Sequence, residues 1–176
     1  VADRELVAAA TSSRSATRTP ASPCSERPVP DLPARVEDRR LTFPPSYRLK
    51  RRRLIRSLFD RGRDDVQTVA VGCVRLLYRV VERNALGHDV PLQVGFAPGP
   101  RAESGVERNR IRRLLREVYR VHQYTLVDPF VCRPDALIVM ILFRGAPDQA
   151  DACIERDLPP AMQQVAAPFR EATGDH

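Results

Sequence analysis

The chain has 176 residues, of which 29 are basic and 22 acidic, giving a formal charge of +7. That length suits one compact domain with extra segments, or at most two small ones, and the basic surplus points to a polyanionic partner. No apolar run approaches the roughly 20 residues that cross a bilayer, and Cys24, Cys73, Cys132 and Cys153 show no CxxC or Cys/His spacing, which argues against a zinc site or a disulfide framework.

Residues 1–41 are rich in Pro, Ser, Thr and Ala, carry charges of both signs and have no sustained apolar period. A disordered extension is expected there, one whose first 40 residues can be deleted without loss of stability or activity, with a folded domain over 42–172. No charged-then-apolar leader opens the chain, so a cytosolic protein with reduced thiols is expected.

The folded part begins at LTFPPSYRLKRRRLIRSLFDRG. Leu54, Ile55, Leu58 and Phe59 recur at helical spacing, with Tyr47 and Arg51 one turn earlier and Gly62 as a stop, which predicts a first helix over about 47–61. VQTVAVGCVRLLYRVVE and VPLQVGFAP are rich in β-branched residues and are separated by the turn chemistry of NALGHD. They predict two or three strands in a hairpin or meander.

Next comes ESGVERNRIRRLLREVYR, in which six of eighteen residues are arginine. Ser104 followed by Glu107 has the form of a capping box and sets the helix start at Gly105. At about 100° per residue, Ile111, Leu114, Leu115, Val118 and His122 fall on one side, with Tyr119 at its margin. Asn109, Arg112, Arg113, Arg116 and Arg120 cover the other. Only Glu117 is placed to offset the positive charge, chiefly that of Arg113, so the row repels itself unless an anion neutralises it. Asn109 and Arg110 lie in the first turn, where free N–H groups and the helix dipole favour a phosphate.

DALIVMILF then reads as a short buried strand, and ADACIERDLPPAMQQVAAPF as a closing helix that Pro159 and Pro160 must kink or split. The order helix, strands, helix, strand, helix gives an expected α+β class, with helices packed on a sheet.

ERNRIRRLLREVYR resembles the signature helix of the bacterial ribonuclease P protein component, through Arg108, Asn109, Arg110, Arg112, Arg113, Arg116 and Glu117. The likeness extends to FPPSYRLKRRRLIRSLFDRG, LLYRV, VGF and IERDL, over about 43–165 and in the family's order. It implies a single α+β domain with helices packed on a mixed four-stranded sheet in the order α-β-β-β-α-β-α, a fold like domain 2 of ribosomal protein S5. It also implies a cytoplasmic role as the protein subunit of an endoribonuclease that removes the 5′ leader of precursor tRNA. The partners implied are ribonuclease P RNA and precursor tRNA, with no membrane and no DNA expected. Chemistry then belongs to the RNA subunit, which holds most of the Mg²⁺. The sequence agrees in offering no carboxylate cluster, Ser/His/Asp set or Cys/His pair for catalysis and no metal-ligand spacing.

Carried over residue by residue, the resemblance assigns RNA contact to Arg108, Asn109, Arg110, Arg112, Arg113 and Arg116, with Arg120 continuing the row and Arg108 able to support the helix start instead. It assigns a cleft for the single-stranded leader to Phe59 and Tyr78, with Ile55 where the family has an aromatic ring; Arg48, Lys50, Arg51, Arg52 and Arg53 are expected to add a basic rim to that cleft. Unpaired nucleotides stack on such rings without regard to sequence. The loop APGPRAESG departs from the family's Ser and Lys pattern and keeps only Arg101. The competing readings are a ribosomal or general RNA-binding module without a processing role, and an interaction domain for an acidic protein.

Overall fold

Adjacent residues of a strand point to opposite faces, and in this protein the two faces meet very different surroundings. The computed structural model describes residues 41–60 and 62–171. The expected N-terminal extension therefore lies outside the described residues, apart from Leu41.

Strand β1 (Gln67–Val71) and strand β2 (Val74–Glu82) form an antiparallel hairpin closed by Gly72 and Cys73. Gly72 takes φ +50, the left-handed conformation that glycine adopts without penalty. Strand β3 (Leu92–Ala97) does not continue as a meander. Strand β4 (Asp135–Phe143) inserts between β2 and β3, giving the order β1-β2-β4-β3, with β2–β4 antiparallel and β3–β4 parallel. Strand β4, wholly apolar after Asp135, takes the centre, where both of its faces are buried. The parallel pair requires a long crossover, which helix α2 (Gly105–His122) supplies, followed by the single turn α3 (Tyr124–Val127).

The closing helix α4 (Ala150–Glu171) runs without interruption through Pro159, Pro160 and Pro168, so of the expected kink or split the split does not occur. Ile154, Leu158, Ala161, Met162 and Val165 are all fully buried along its inner side. That packing holds the helix through prolines that remove backbone donors.

The first helix is shorter than its apolar period suggests. Pro45–Tyr47 form one 3-10 turn, the chain then extends, and helix α1 occupies only Arg52–Phe59. Competition for backbone hydrogen bonds explains the difference. Arg48 bridges Val94 in parallel, Leu49 N–H donates to the Val94 carbonyl at 3.0 Å, and Gln93 donates to the Ser46 carbonyl at 3.0 Å. Residues 46–49 thus close the exposed edge of β3 instead of adding a helical turn.

Register sorts the side chains. Val74, Leu76 and Tyr78 of β2 share a face with Val139, Ile141 and Phe143 of β4 and with Val94 and Phe96 of β3. Helices α2 and α4 cover this face: Phe96 meets Tyr119 of α2 at 5.5 Å between ring centroids, and Tyr78 meets Phe169 of α4 at 6.3 Å. Arg75, Leu77, Arg79 and Val81 share the opposite face with Ile138 and Met140. The eight-residue α1 covers that side only in part.

Of the cysteines, Cys73 and Cys153 carry free thiols. Cys132 is disulfide-bonded. The expectation of reduced thiols throughout is therefore corrected at that position, because spacing along the chain does not report neighbours in space.

Candidate nucleic-acid interface

Helix α2 begins where the capping box sets it. The Ser104 hydroxyl accepts the Glu107 N–H at 3.1 Å, and the Glu107 carboxylate accepts the N–H groups of Ser104 and Glu103 at 3.2 and 3.0 Å. Ile111, Leu115 and Tyr119 form its buried stripe, one turn apart, while Leu114 and Val118 are half-buried and His122 is exposed. Tyr119 is thus the centre of the inner face and not its margin. It sits in a cluster of edge-to-face rings with Phe43 at 5.4 Å and Phe96 at 5.5 Å. Burial first, and the nearby Tyr47 second, push its hydroxyl well above the usual tyrosine range. His122 loses its expected place because the helix ends there and Gln123, buried, turns the chain into α3.

The outward row divides by function. Arg108 donates through Nε to the Ala102 carbonyl at 2.9 Å, which ties the preceding loop to the helix start. Arg110 pairs with Asp151 of α4. Arg120 pairs with Glu117 at 3.0 Å and donates to the Leu41 carbonyl at 2.8 Å, so Glu117 serves Arg120 and not Arg113. Arg112 donates to the Asn109 side chain at 2.9 Å, a bond that leaves its charge uncompensated. Among the described residues no carboxylate pairs with Arg108, Arg112, Arg113 or Arg116. The Nε of Arg116 is buried without a hydrogen-bond partner. Uncompensated guanidinium groups at helical spacing present forked donors to closely spaced phosphates.

A cleft of about 560 Å³ opens between the end of α1 and the second face of the sheet. Phe59, Arg63, Arg75, Leu77, Pro98 and Arg144 are among its lining residues. Phe59 is 49% exposed, a large ring left at the rim although its helical spacing fits a core position. A second hollow of about 460 Å³ on the same face is lined by Arg53, Ser57, Arg79 and Val81. The wall containing Pro98 belongs to the loop that leads into α2. Gly99 is essential to that wall, since a Cβ there would stand 2.2 Å from the Phe143 carbonyl oxygen.

Tyr78 is not in the cleft. Its ring is buried against Phe169, and its hydroxyl donates to Gln67 at 2.6 Å, on the face that α4 covers. The two-residue period of the strand gives the cleft position to its neighbour Leu77. Ile55 is half-buried against the core. Arg48 lies over the Phe43 ring at 5.7 Å, Lys50 is exposed, and Arg51 donates to the Ala85 carbonyl at 2.9 Å. None of these four lines either hollow, nor does Arg52, whereas Arg53 of the expected rim lines the second one.

What the sequence reading missed is the basic floor. Arg75 and Arg79 stand two residues apart on β2 and both face the cleft side. Arg79 is committed to Asp65 at 2.5 Å and to Ser57 at 3.3 Å. The Nε of Arg75 is buried with no partner. The signal was present as two arginines at strand period in an otherwise apolar run, but the side of the sheet they occupy depends on tertiary packing. Asp65 bridges Arg63 and Arg79; the hydrogen bond from Arg63, aided by Arg79, lowers its carboxyl to about 2.

Residues 43–166 match the family model described as Ribonuclease P. No curated protein matches the chain. Among solved structures, the ribonuclease P protein of Staphylococcus aureus is similar at 18% identity, over 65% of this chain and 94% of that one, with a TM-score of 0.43. A second structure of that protein gives 17% identity, 69% and 93% coverage and a TM-score of 0.44. With about 70% of its length inside the family model, the chain belongs to the ribonuclease P protein family.

Proposed function

We propose that this chain, as the protein subunit of ribonuclease P, uses the outward row of α2 to hold the catalytic RNA and the cleft beside α1 to hold the unpaired 5′ leader of precursor tRNA. Family membership makes it a component of the endoribonuclease that matures tRNA 5′ ends. The observation that carries the finer reading is the uncompensated charge of Arg112, Arg113 and Arg116 on a helix whose other face is fully committed to the core. Such a row binds best where phosphates crowd.

The leader reading is supported by the joint presence of an exposed ring, Phe59, and an arginine, Arg75, whose buried Nε has no partner among the described residues, in one groove. Stacking and phosphate contact together suit single-stranded RNA of any sequence. The loop through Pro98 and Arg101 joins that groove to the first turn of α2, so leader and catalytic RNA would meet at adjoining surfaces.

Hydrolysis on this reading is the work of the RNA subunit and its Mg²⁺. The one group of three potential metal ligands among the described residues is Cys73, Cys153 and Asp157. Two thiols are unsuited to Mg²⁺, which takes oxygen ligands. The protein would work in the cytoplasm; no described helix is long and apolar enough to cross a membrane.

Reconstitution tests the proposal. The chain combined with a bacterial ribonuclease P RNA at low Mg²⁺ should restore 5′ processing of precursor tRNA, while the chain alone cleaves nothing. Failure to stimulate any such RNA, with the folded chain showing no preference for structured RNA, would remove it.

A further inference from the structure

Away from the arginine surfaces, the hairpin turn between β1 and β2 presses on the first turns of α4. Cys73 from the turn and Cys153 and Asp157 from the helix bring two sulfur atoms and a carboxylate oxygen within 4.8 Å of one another. Cys153 and Asp157 stand one helical turn apart and so share a face. Cys73 lies 80 residues before Cys153, and only the fold unites them.

The turn is built onto the carboxylate. Cys73 N–H donates to Asp157 Oδ2 at 2.9 Å, and a Cβ on Gly72 would stand 2.1 Å from that same oxygen. A glycine in the left-handed conformation is therefore what allows Cys73 to reach α4 at all. Asp157 is buried, with 4% of its surface exposed. Arg156 reaches back to it at 2.7 and 3.1 Å, yet the arginine side chain is itself 70% exposed. It can turn aside or remain as an outer partner at little cost. Both cysteines are only half-buried, so an ion has a path from solvent.

We infer that Cys73, Cys153 and Asp157 form a binding site for a thiophilic divalent cation of the Zn²⁺ class, with a water molecule completing four-coordination. Two thiolates and one carboxylate carry a charge of −3; a divalent ion brings this to −1, and the adjacent Arg156 guanidinium balances the remainder. The donor set is that of borderline-soft ions and not of Mg²⁺ or Ca²⁺. Binding releases the two thiol protons to solvent as the sulfur–metal bonds form. The bound ion would clamp the β1–β2 turn to α4, joining the sheet to the helix that closes its core face. This site is independent of the RNA-binding reading.

The test uses the full chain carrying Cys24→Ser and Cys132→Ser, reduced and metal-free, so that only the two proposed thiols remain. Titration with CoCl₂ should saturate at one ion per chain. Thiolate-to-cobalt charge transfer and tetrahedral d–d absorption should appear, then disappear on adding ZnCl₂. Saturating ZnCl₂ should raise the melting temperature by several degrees. Adding Cys153→Ser should abolish the absorption and the thermal shift while the far-ultraviolet circular dichroism stays the same.

Absence of charge-transfer absorption from the folded, reduced chain would overturn the inference. So would its persistence after Cys153→Ser. Mild oxidation that links Cys73 to Cys153, in a protein that takes up no Co²⁺ when reduced, would reassign the pair as a redox couple and would equally reject the metal site.

Discussion

Leu76 and Leu77 are neighbours in sequence with the same side chain, yet one is fully buried beneath the helix layer and the other floors a cleft open to solvent. The contrast between the two faces of β2 organises the molecule. One face is sealed by α2 and α4 and supplies stability. The other, under an α1 of eight residues, is left incomplete, and the incompleteness makes a groove. A strand gives a protein both surfaces at once, at the resolution of a single residue.

The largest expected effect separates these faces directly. Leu76→Ala should cost about 2–5 kcal/mol of stability, as buried leucine truncations do, whereas Leu77→Ala should cost less than half as much. Urea unfolding of the two variants measures the difference, and equal losses would mean that the cleft face is as closed as the core face.

The same division runs through α2, whose inner stripe packs and whose outer row carries arginines without carboxylate partners among the described residues. Arg112→Ala combined with Arg116→Ala should leave unfolding almost unchanged. Affinity for ribonuclease P RNA should fall on the order of 100-fold, and the slope of log affinity against log salt should flatten by about 2. A salt titration on the folded double variant checks it; an unaltered slope would place the RNA elsewhere.

Phe59→Ala sharpens the comparison at the cleft. Loss of one stacking ring should weaken precursor tRNA binding by about 1–3 kcal/mol relative to mature tRNA, with a smaller change in melting temperature than Leu58→Ala. An equal loss for both tRNAs would assign Phe59 to packing.

The smallest effect concerns Asp65, which is held ionised by Arg63 and Arg79 at the edge of the same face. Its folded carboxyl, at about 2, lies below the ordinary value of about 4. Its stabilising contribution is therefore full above about pH 4 and fades as pH falls toward 2. Asp65→Asn should remove that part of the acid dependence, slight because the pair is exposed, and should make precursor binding tighter by freeing two arginines. Acid titration of stability for both proteins reads the first effect, and filter binding reads the second.

Much of this could be read from the residues alone because it depends on local rules. The capping box at Ser104 and Glu107, the arginine row and the span of β4 all follow from short-range pattern and hydrogen-bond chemistry. Arg108 could be suspected of supporting the helix start, and it does so through the Ala102 carbonyl. Other features needed the folded chain. Tyr78 carries an aromatic ring in the expected segment, but strand parity turns it toward Phe169. The prolines of α4 argue locally for a break that long-range burial overrides.

What the sequence by itself determined is the run of main helices and strands, their polarity and the presence of an arginine-rich amphipathic helix, because propensity, periodicity and capping act within a few residues. Only the tertiary structure decided the insertion of β4 between β2 and β3, the side of the sheet that stays open, the arginines left without acid partners, and the meeting of Cys73 with Cys153 and Asp157. Each of these results from long-range packing, in which residues far apart in the chain compete for the same buried surface.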